Sequence, residues 1–349
     1  MARALQTALK LAFPEKRLVD LRIVETTEGT NRRLRLALEW SGGRGPDSVF
    51  VKMSGRLGHR LALLALRATA AEARLALSGL ELPLEHPQFY AAGIDTRRLC
   101  SIVVMEDLVE KGARISSAIS PLSALEVASG LEALAALHAR YWEAVPSSLA
   151  FLRPWRLGSP FAPVSALSLD AADRRLRRLG RPLDPRISLR LLERGFRESA
   201  LRAALGPQTL LHGDPHLCNS YVSKTGVTGF FDFQLVRTGN WSHDVSYFVV
   251  SSLEPGERRR DERELLAHYL AALAKGGARA PTFDEAWESY RAGPSFGLPT
   301  WLHTLTGRTL QPVEACTATI ARFESAYLEL DTAEVVATRT KDASLPPTR

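Results

Sequence analysis

Residues 210–221 read LLHGDPHLCNSY: two histidines, an aspartate, a cysteine and an asparagine behind a pair of leucines. Two chemistries fit that composition. His212, Asp214 and His216 alternate, and alternate side chains of an extended strand share one side, as a metal cluster would require. The other reading is a loop in which Asp214 orients a hydroxyl and Asn219 holds a divalent cation for phosphoryl transfer. Pro215 interrupts a strand, and the sequence offers neither an HExxH pattern nor a second compact His/Asp cluster to complete a zinc site.

The downstream residues favour the second reading. Asn219 lies five residues after Asp214, and Asp232 comes thirteen later inside FFDFQ (230–234). Magnesium is a hard cation that takes oxygen ligands, which Asn and Asp supply and the sulfur of Cys218 does not. A turn or N-cap role is the ordinary explanation for an aspartate such as Asp214, but it leaves the spacing to Asn219 and Asp232 unexplained. Protein kinases resemble this chain in the order of these parts: a loop Asp that orients the acceptor hydroxyl, then an Asn and a strand-borne Asp that hold magnesium against the phosphates.

Working outward, residues 17–25, 33–40 and 48–54 alternate like strands, and TTEGTN (26–31) and SGGRGPD (41–47) between them carry turn residues. Residues 59–78 are rich in Ala, Leu and Arg without Gly or Pro and predict one helix. Strands are expected at 88–94 and 98–105. A long helix should follow over 120–144, opened by Ser120 and Pro121, with further helices near 187–205, 258–275, 282–292 and 309–331. Short strands around tight turns, including a hairpin at KTG (224–226), interrupt this over 208–233. The architecture is therefore a small β-rich domain joined near residue 106 to a larger helical domain with a sheet insert, a cleft between them being the natural place for a ligand.

The composition belongs to an ordinary globular protein: 349 residues, 45% hydrophobic, with three scattered cysteines that form neither a disulfide framework nor a zinc knuckle. No apolar run approaches the ~18 residues that cross a bilayer, and the N-terminal residues carry no signal-peptide pattern, so the expected compartment is the cytoplasm, with no membrane partner. The net charge of +7 is spread along the chain and interleaved with acids. Even the dense DRRLRRLGR (173–181) reads as an exposed helix, and no nucleic acid is expected as a partner.

HGDPHLCNSYV (212–222) followed by GFFDFQLVRTGNWSHDVSYFVVSSL (229–253) resembles the aminoglycoside phosphotransferase and choline kinase group of the protein-kinase-like superfamily. Within it the chain is most similar to bacterial phosphotransferases related to ecdysteroid kinase-like proteins. The likeness extends through VFVKMS (49–54), VVMEDL (103–108), LHARYW (137–142) and DEAWESYRAG (284–293). It implies an α+β, bilobal, protein-kinase-like fold: a small antiparallel-sheet N-lobe over residues 1–105 and a larger, mainly helical C-lobe over 106–349.

The resemblance also implies roles. Asp214 would be the catalytic aspartate, and Asn219 and Asp232 the magnesium ligands. Lys52 would contact the nucleotide phosphates, held by Glu72; lysine is scarce here, seven of the 45 Lys and Arg residues. Met105, Glu106, Asp107 and Leu108 would form the hinge against adenine. Gly29, Thr30 and Asn31 would border the phosphates, although one glycine stands where protein kinases carry GxGxxG, and a plain hairpin turn explains the stretch equally well. Asp244 would bind the catalytic loop backbone, His212 would brace that loop, and His138 would pack against it. Cys218 stands where relatives often carry glycine.

The implied activity is an ATP- and Mg2+-dependent transfer of phosphate to a hydroxyl of a small molecule, by a monomer or homodimer. The rival is a catalytically silent, nucleotide-binding regulatory module. The acceptor would meet the helical part after Asp244, where Trp287, Tyr290, Arg291, Trp301 and His303 form either a binding wall or core. Few acids lie there, which favours a neutral or hydrophobic alcohol over a polycationic aminoglycoside.

Overall fold

The computed structural model of the chain describes residues 7–10, 12–15, 17–29, 31–41, 45–65, 68–149, 152, 162–307 and 311–342. Alternation builds its N-terminal sheet. Five antiparallel strands, β1 (Arg17–Glu28), β2 (Asn31–Ser41), β3 (Ser48–Ser54), β4 (Phe89–Asp95) and β5 (Cys100–Glu106), run in the order β1-β2-β3-β5-β4. Leu34, Leu36 and Leu38 of β2 share one face with Val49, Val51, Ile102 and Val104, packed with Ala8 and Leu9. Each such side chain contributes about 1.5–3 kcal/mol on burial. The period of two then sends Arg33, Arg35, Phe50, Lys52, Val103 and Met105 to the opposite face.

Between β3 and β4 the single expected helix is two, α1 (Leu57–Ala65) and α2 (Ala71–Leu77). The chain turns between them, with Ala70 in the left-handed region at φ 55°. Propensity favours continuation through these alanines. Tertiary packing overrides it, because the turn lets α2 lay Ala73 against Val103 and Met105 on the inner face of the sheet.

Beyond Glu106 helices dominate. The first, α3 (Ala124–Arg140), starts three residues later than Pro121. Ser123 and Glu126 cap it reciprocally, a capping box that Ser120 cannot form because Ser123 stands at its N3 position. Its buried residues Val127, Leu131, Leu134, Ala135 and His138 recur at helical spacing. Next come α4 (Ala162–Arg178), which includes most of the basic run, and α5 (Leu189–Arg202).

The sheet insert follows as expected. β7 (Gln208–Leu211) pairs with β10 (Arg237–Asn240), while β6 (Arg114–Ile115), β8 (Ser220–Val222) and β9 (Thr228–Phe230) form a second small sheet. The remaining helices are α6 (Ser242–Ser252), α7 (Pro255–Lys275), α8 (Phe283–Arg291), α9 (Pro294–Thr306), α10 (Val313–Glu329) and α11 (Thr332–Asp342). The periodicity did not predict α6, α9 or α11, and of α4 only the basic run was read as helical. In α9 the internal Pro299 reads as a breaker, yet the helix buries Phe296, Leu298, Trp301 and Leu302. Among the described residues no helix is long and apolar enough to cross a membrane.

Candidate active site

The HGD loop leaves β7 at its buried C-terminal end, with Leu211 paired to Arg237. Gly213 makes the turn at φ +86°, and a Cβ there would lie 2.0 Å from the Leu235 carbonyl oxygen. Only glycine fits that approach. Asp244, fully buried in the first turn of α6, accepts the backbone N–H groups of His212 at 2.7 Å and Gly213 at 3.1 Å. His138 holds the same carboxylate at 3.3 Å through Nε2, and its Nδ1 meets the Tyr269 hydroxyl at 2.8 Å. Burial alone would raise the Asp244 pKa, but the His138 hydrogen bond and the surrounding histidines hold it below the usual carboxylate value.

The histidines of the loop answer the metal question. His212 Nδ1 accepts the Asp214 N–H at 3.3 Å, so its Nε2–H donates to the Phe231 carbonyl at 3.0 Å. His216 Nδ1 accepts the Cys218 N–H at 3.2 Å, which turns its Nε2–H toward Asp214, 3.7 Å away. Burial keeps both rings neutral, His216 with a pKa of about 3. Their lone pairs serve the backbone. Among the described residues no three His, Cys, Asp or Glu side chains gather as a metal cluster.

Asn219 and Asp232 come together through the backbone. The Phe231 N–H donates to the Asn219 carbonyl at 3.0 Å, which lays the start of the FFDFQ turn beside the HGD loop. Asn219 Nδ2 donates to the Asp214 carbonyl at 2.9 Å and to its carboxylate at 3.3 Å, so Oδ1 is the atom left to face a cation. Asp232 takes the left-handed conformation, φ 68° and ψ 62°, which aspartate tolerates better than most residues. The oxygen donors of Asn219 and Asp232 suit a hard divalent ion.

Lys52 on β3 reaches across to this turn. Its ammonium pairs with Asp232 and lies 2.8 Å from Glu72 of α2, all three side chains being almost fully buried. The other Glu72 oxygen accepts the Phe233 N–H at 3.0 Å. Burial lowers the Lys52 pKa, but the two carboxylates outweigh it and hold the ammonium above the ordinary lysine value. Burial would raise Asp232, yet Lys52 and Arg33 pull it down to about 2. Asp214 goes the other way. Burial and the charge of Asp232 push its carboxyl well above the usual range, against a smaller effect of Arg237.

Asp214, Asn219, Asp232, Lys52 and Glu72 therefore form one connected cluster. At the rim, Gly29 donates to the Asn31 carbonyl at 3.1 Å, and the Asn31 amide donates to Gln234 at 2.8 Å, closing the β1–β2 turn onto the FFDFQ turn. Thr30 lies outside the described residues. Met105 is buried at the end of β5, and Leu108 sits half-buried beyond it. The Glu106 side chain pairs with Lys111 at 3.0 Å. The Asp107 carboxylate is taken by Arg35 at 3.0 Å, the Ser48 hydroxyl at 2.6 Å and the Val109 N–H at 3.1 Å, so its side chain secures the connection rather than facing an open cleft.

Of the aromatic wall, only Trp301 comes near the loop, edge-on to His216 at 5.1 Å, with Tyr247 on the same ring at 6.0 Å. Tyr290 binds buried Glu262, Trp287 stacks on it, and Arg291 holds the Leu330 carbonyl. His303 contacts Ser165 and Phe196. These four belong to the core and to helix contacts. Sequence reasoning missed Arg33, 3.4 Å from Asp232, and Gln234. Arg33 stands opposite Lys52 in the β2–β3 register, a pairing visible only once the register is known.

Fold and cluster together define a kinase-like phosphotransferase. Residues 111–292 match the phosphotransferase enzyme family, and the chain belongs to that family, within the protein-kinase-like superfamily. No curated protein sequence matches it. Among solved structures it is similar to choline kinase LicA from Streptococcus pneumoniae, at 12% identity over 95% of this chain and 100% of that one, with a TM-score of 0.50. A GDP complex of an aminoglycoside 2'-phosphotransferase-IIIa mutant matches at 14% identity over 98% and 99%, with a TM-score of 0.53. Choline kinase from Cryptosporidium parvum Iowa II matches at 9% over 94% and 93%, with a TM-score of 0.51.

Proposed function

We propose that the protein is a small-molecule kinase that uses ATP and magnesium to phosphorylate a hydroxyl group. The observation that carries this reading is the convergence of Lys52 of β3 and Asp232 of the FFDFQ turn beside the Asp214–Asn219 pair. The lobes divide at residues 105 and 106, so the β1–β2 turn, Lys52 and Glu72 belong to the N-lobe and the HGD and FFDFQ turns to the C-lobe. The end of β5 and Leu108 border the adenine through backbone groups.

Phosphoryl transfer has a loose transition state, so the protein's work is alignment and charge neutralisation. Asp214 orients the acceptor oxygen toward the terminal phosphate and takes its proton late. Lys52, fixed by Glu72, offsets phosphate charge. Asn219 and Asp232 would hold magnesium, which would supply positive charge to offset that of the phosphates.

The buried His216, Trp301 and Tyr247 make the packing behind Asp214 neutral and largely apolar, which supports a neutral or hydrophobic alcohol as acceptor. We place the enzyme in the cytoplasm. A metabolite library incubated with enzyme, ATP and magnesium, read by the mass of phosphorylated products, tests the proposal. A product formed by wild type and absent with Asp214→Asn is expected. Saturable nucleotide binding without turnover of any alcohol would instead indicate a silent binding module, and a preference for aminoglycosides would overturn the acceptor class.

A further inference from the structure

Among the described residues, the β1–β2 turn offers few free groups to a phosphate chain. TTEGTN holds one glycine, and two of its donors are engaged, the Gly29 N–H by the Asn31 carbonyl and the Asn31 amide by Gln234. A nest of backbone N–H groups, which glycine-rich loops supply to anions, is not evident in so glycine-poor a turn.

The adjacent strand carries a cation instead. Arg33 faces Lys52 directly across the β2–β3 ladder, and directly opposed residues project from the same face of the sheet. Both reach Asp232 by different oxygens, Lys52 at Oδ1 and Arg33 at Oδ2. Their surroundings differ. Lys52 is 5% exposed and held between two carboxylates, whereas Arg33 is 35% exposed and makes one contact at 3.4 Å, long for a charged hydrogen bond. Arg35, two residues on along the same face, is bound at 3.0 Å to Asp107.

The ion-paired group around Asp232 balances its own charge, Lys52 and Arg33 against Glu72 and Asp232. A nucleotide entering beside it adds negative charge, and Arg33 is the member with open surface and the loosest partner. A guanidinium presents a fork of N–H donors that matches phosphate oxygens.

We propose that Arg33 is a phosphate-binding residue: its guanidinium turns from Asp232 to the β- and γ-phosphate oxygens of a nucleoside triphosphate, in the role that backbone N–H groups play in a glycine-rich loop. The proposal rests on the nucleotide-binding part of the reading above.

The test is calorimetric titration of ATP, ADP, AMP and adenosine, with magnesium and again with EDTA, into wild type, Arg33→Ala, Arg33→Gln and Arg33→Lys, with melting temperatures recorded for each. Removing one charge-assisted contact should weaken ATP and ADP about tenfold or more in the Ala and Gln variants. Adenosine affinity should not change, and Arg33→Lys should recover part of the loss. Unchanged ATP binding in Arg33→Ala overturns the proposal. Equal weakening of ATP and adenosine also overturns it, since that marks a residue that only screens Asp232. If wild type binds ATP while the variants behave in either way, the fault lies with Arg33. If wild type binds neither ATP nor adenosine, the nucleotide reading falls and takes this one with it.

Discussion

Glu72 accepts the backbone N–H of Phe233 at 3.0 Å while its other oxygen holds the Lys52 ammonium at 2.8 Å. One carboxylate thus fixes both Lys52 and the turn that carries Asp232. Glu72→Gln keeps an acceptor for Phe233 but loses the charge; Glu72→Ala loses both. Because misplacing a reacting group by about 1 Å can cost 10²-fold, kcat should fall about tenfold in the first variant and about a hundredfold in the second. Steady-state kinetics at saturating ATP measures this, and equal activity in the two variants would show that the Phe233 contact has no part in alignment.

Asp214→Asn should remove most activity, a loss of about 10²–10⁴-fold, the usual span for a positioned acid–base group. Its effect on stability should have the opposite sign. The Asp214 carboxyl is pushed well above its ordinary value by burial and by Asp232. Its contribution to stability is therefore complete below the ordinary carboxylate pKa and is lost as pH rises toward the raised one. The variant should melt higher than wild type, by a margin that widens from pH 4 to pH 8. A constant or shrinking margin would refute this picture of Asp214.

Asp244→Ala leaves the buried N–H groups of His212 and Gly213 without acceptors. At about 1–3 kcal/mol for each of the two stranded groups, the loss should be about 2–6 kcal/mol and lower the melting temperature by roughly 3–8 °C. The wild-type pH dependence follows from the depressed pKa values of Asp244 and Asp232. Their contributions are present above the unfolded carboxylate value near ~4 and disappear as pH falls through the folded values, about 2 for Asp232. Acid titration followed by near-UV circular dichroism should show the alanine variant losing less stability than wild type between pH 4 and pH 2.

Gly213→Ala forces a side chain into a φ +86° position and against the Leu235 carbonyl. A destabilisation of about 1–3 kcal/mol is expected from the strain alone, with activity reduced further because Asp214 is the next residue. Wild-type melting together with wild-type turnover would mean that the loop has another accessible path.

The parts that were legible in the sequence are those whose partners lie close in the chain or follow a simple period. Asp214, Asn219 and Asp232 sit within one short segment, so their spacing and the resemblance it carried marked them as a group, and the structure brings them together. Leu34, Leu36 and Leu38 alternate cleanly and gave their strand away. Ala70 was opaque because nothing in an alanine-rich run signals a left-handed turn that only the packing of α2 requires. The place of the Asp107 side chain stayed open in the sequence because its partners Arg35 and Ser48 lie 72 and 59 residues away. Arg33 stayed hidden for the same reason, since its relation to Asp232 depends on a strand register and a contact 199 residues apart.

The left-handed backbone at Asp232 restricts which replacements are informative there. Asparagine and glycine can occupy φ 68° at little cost, whereas a β-branched residue would strain the peptide chain before any question of charge arose. Replacements at position 232 are accordingly constrained by main-chain shape and, on the proposed function, by ligand chemistry as well. Asparagine keeps the main-chain shape and an oxygen donor but loses the negative charge, which makes it the substitution that isolates the anion's own contribution.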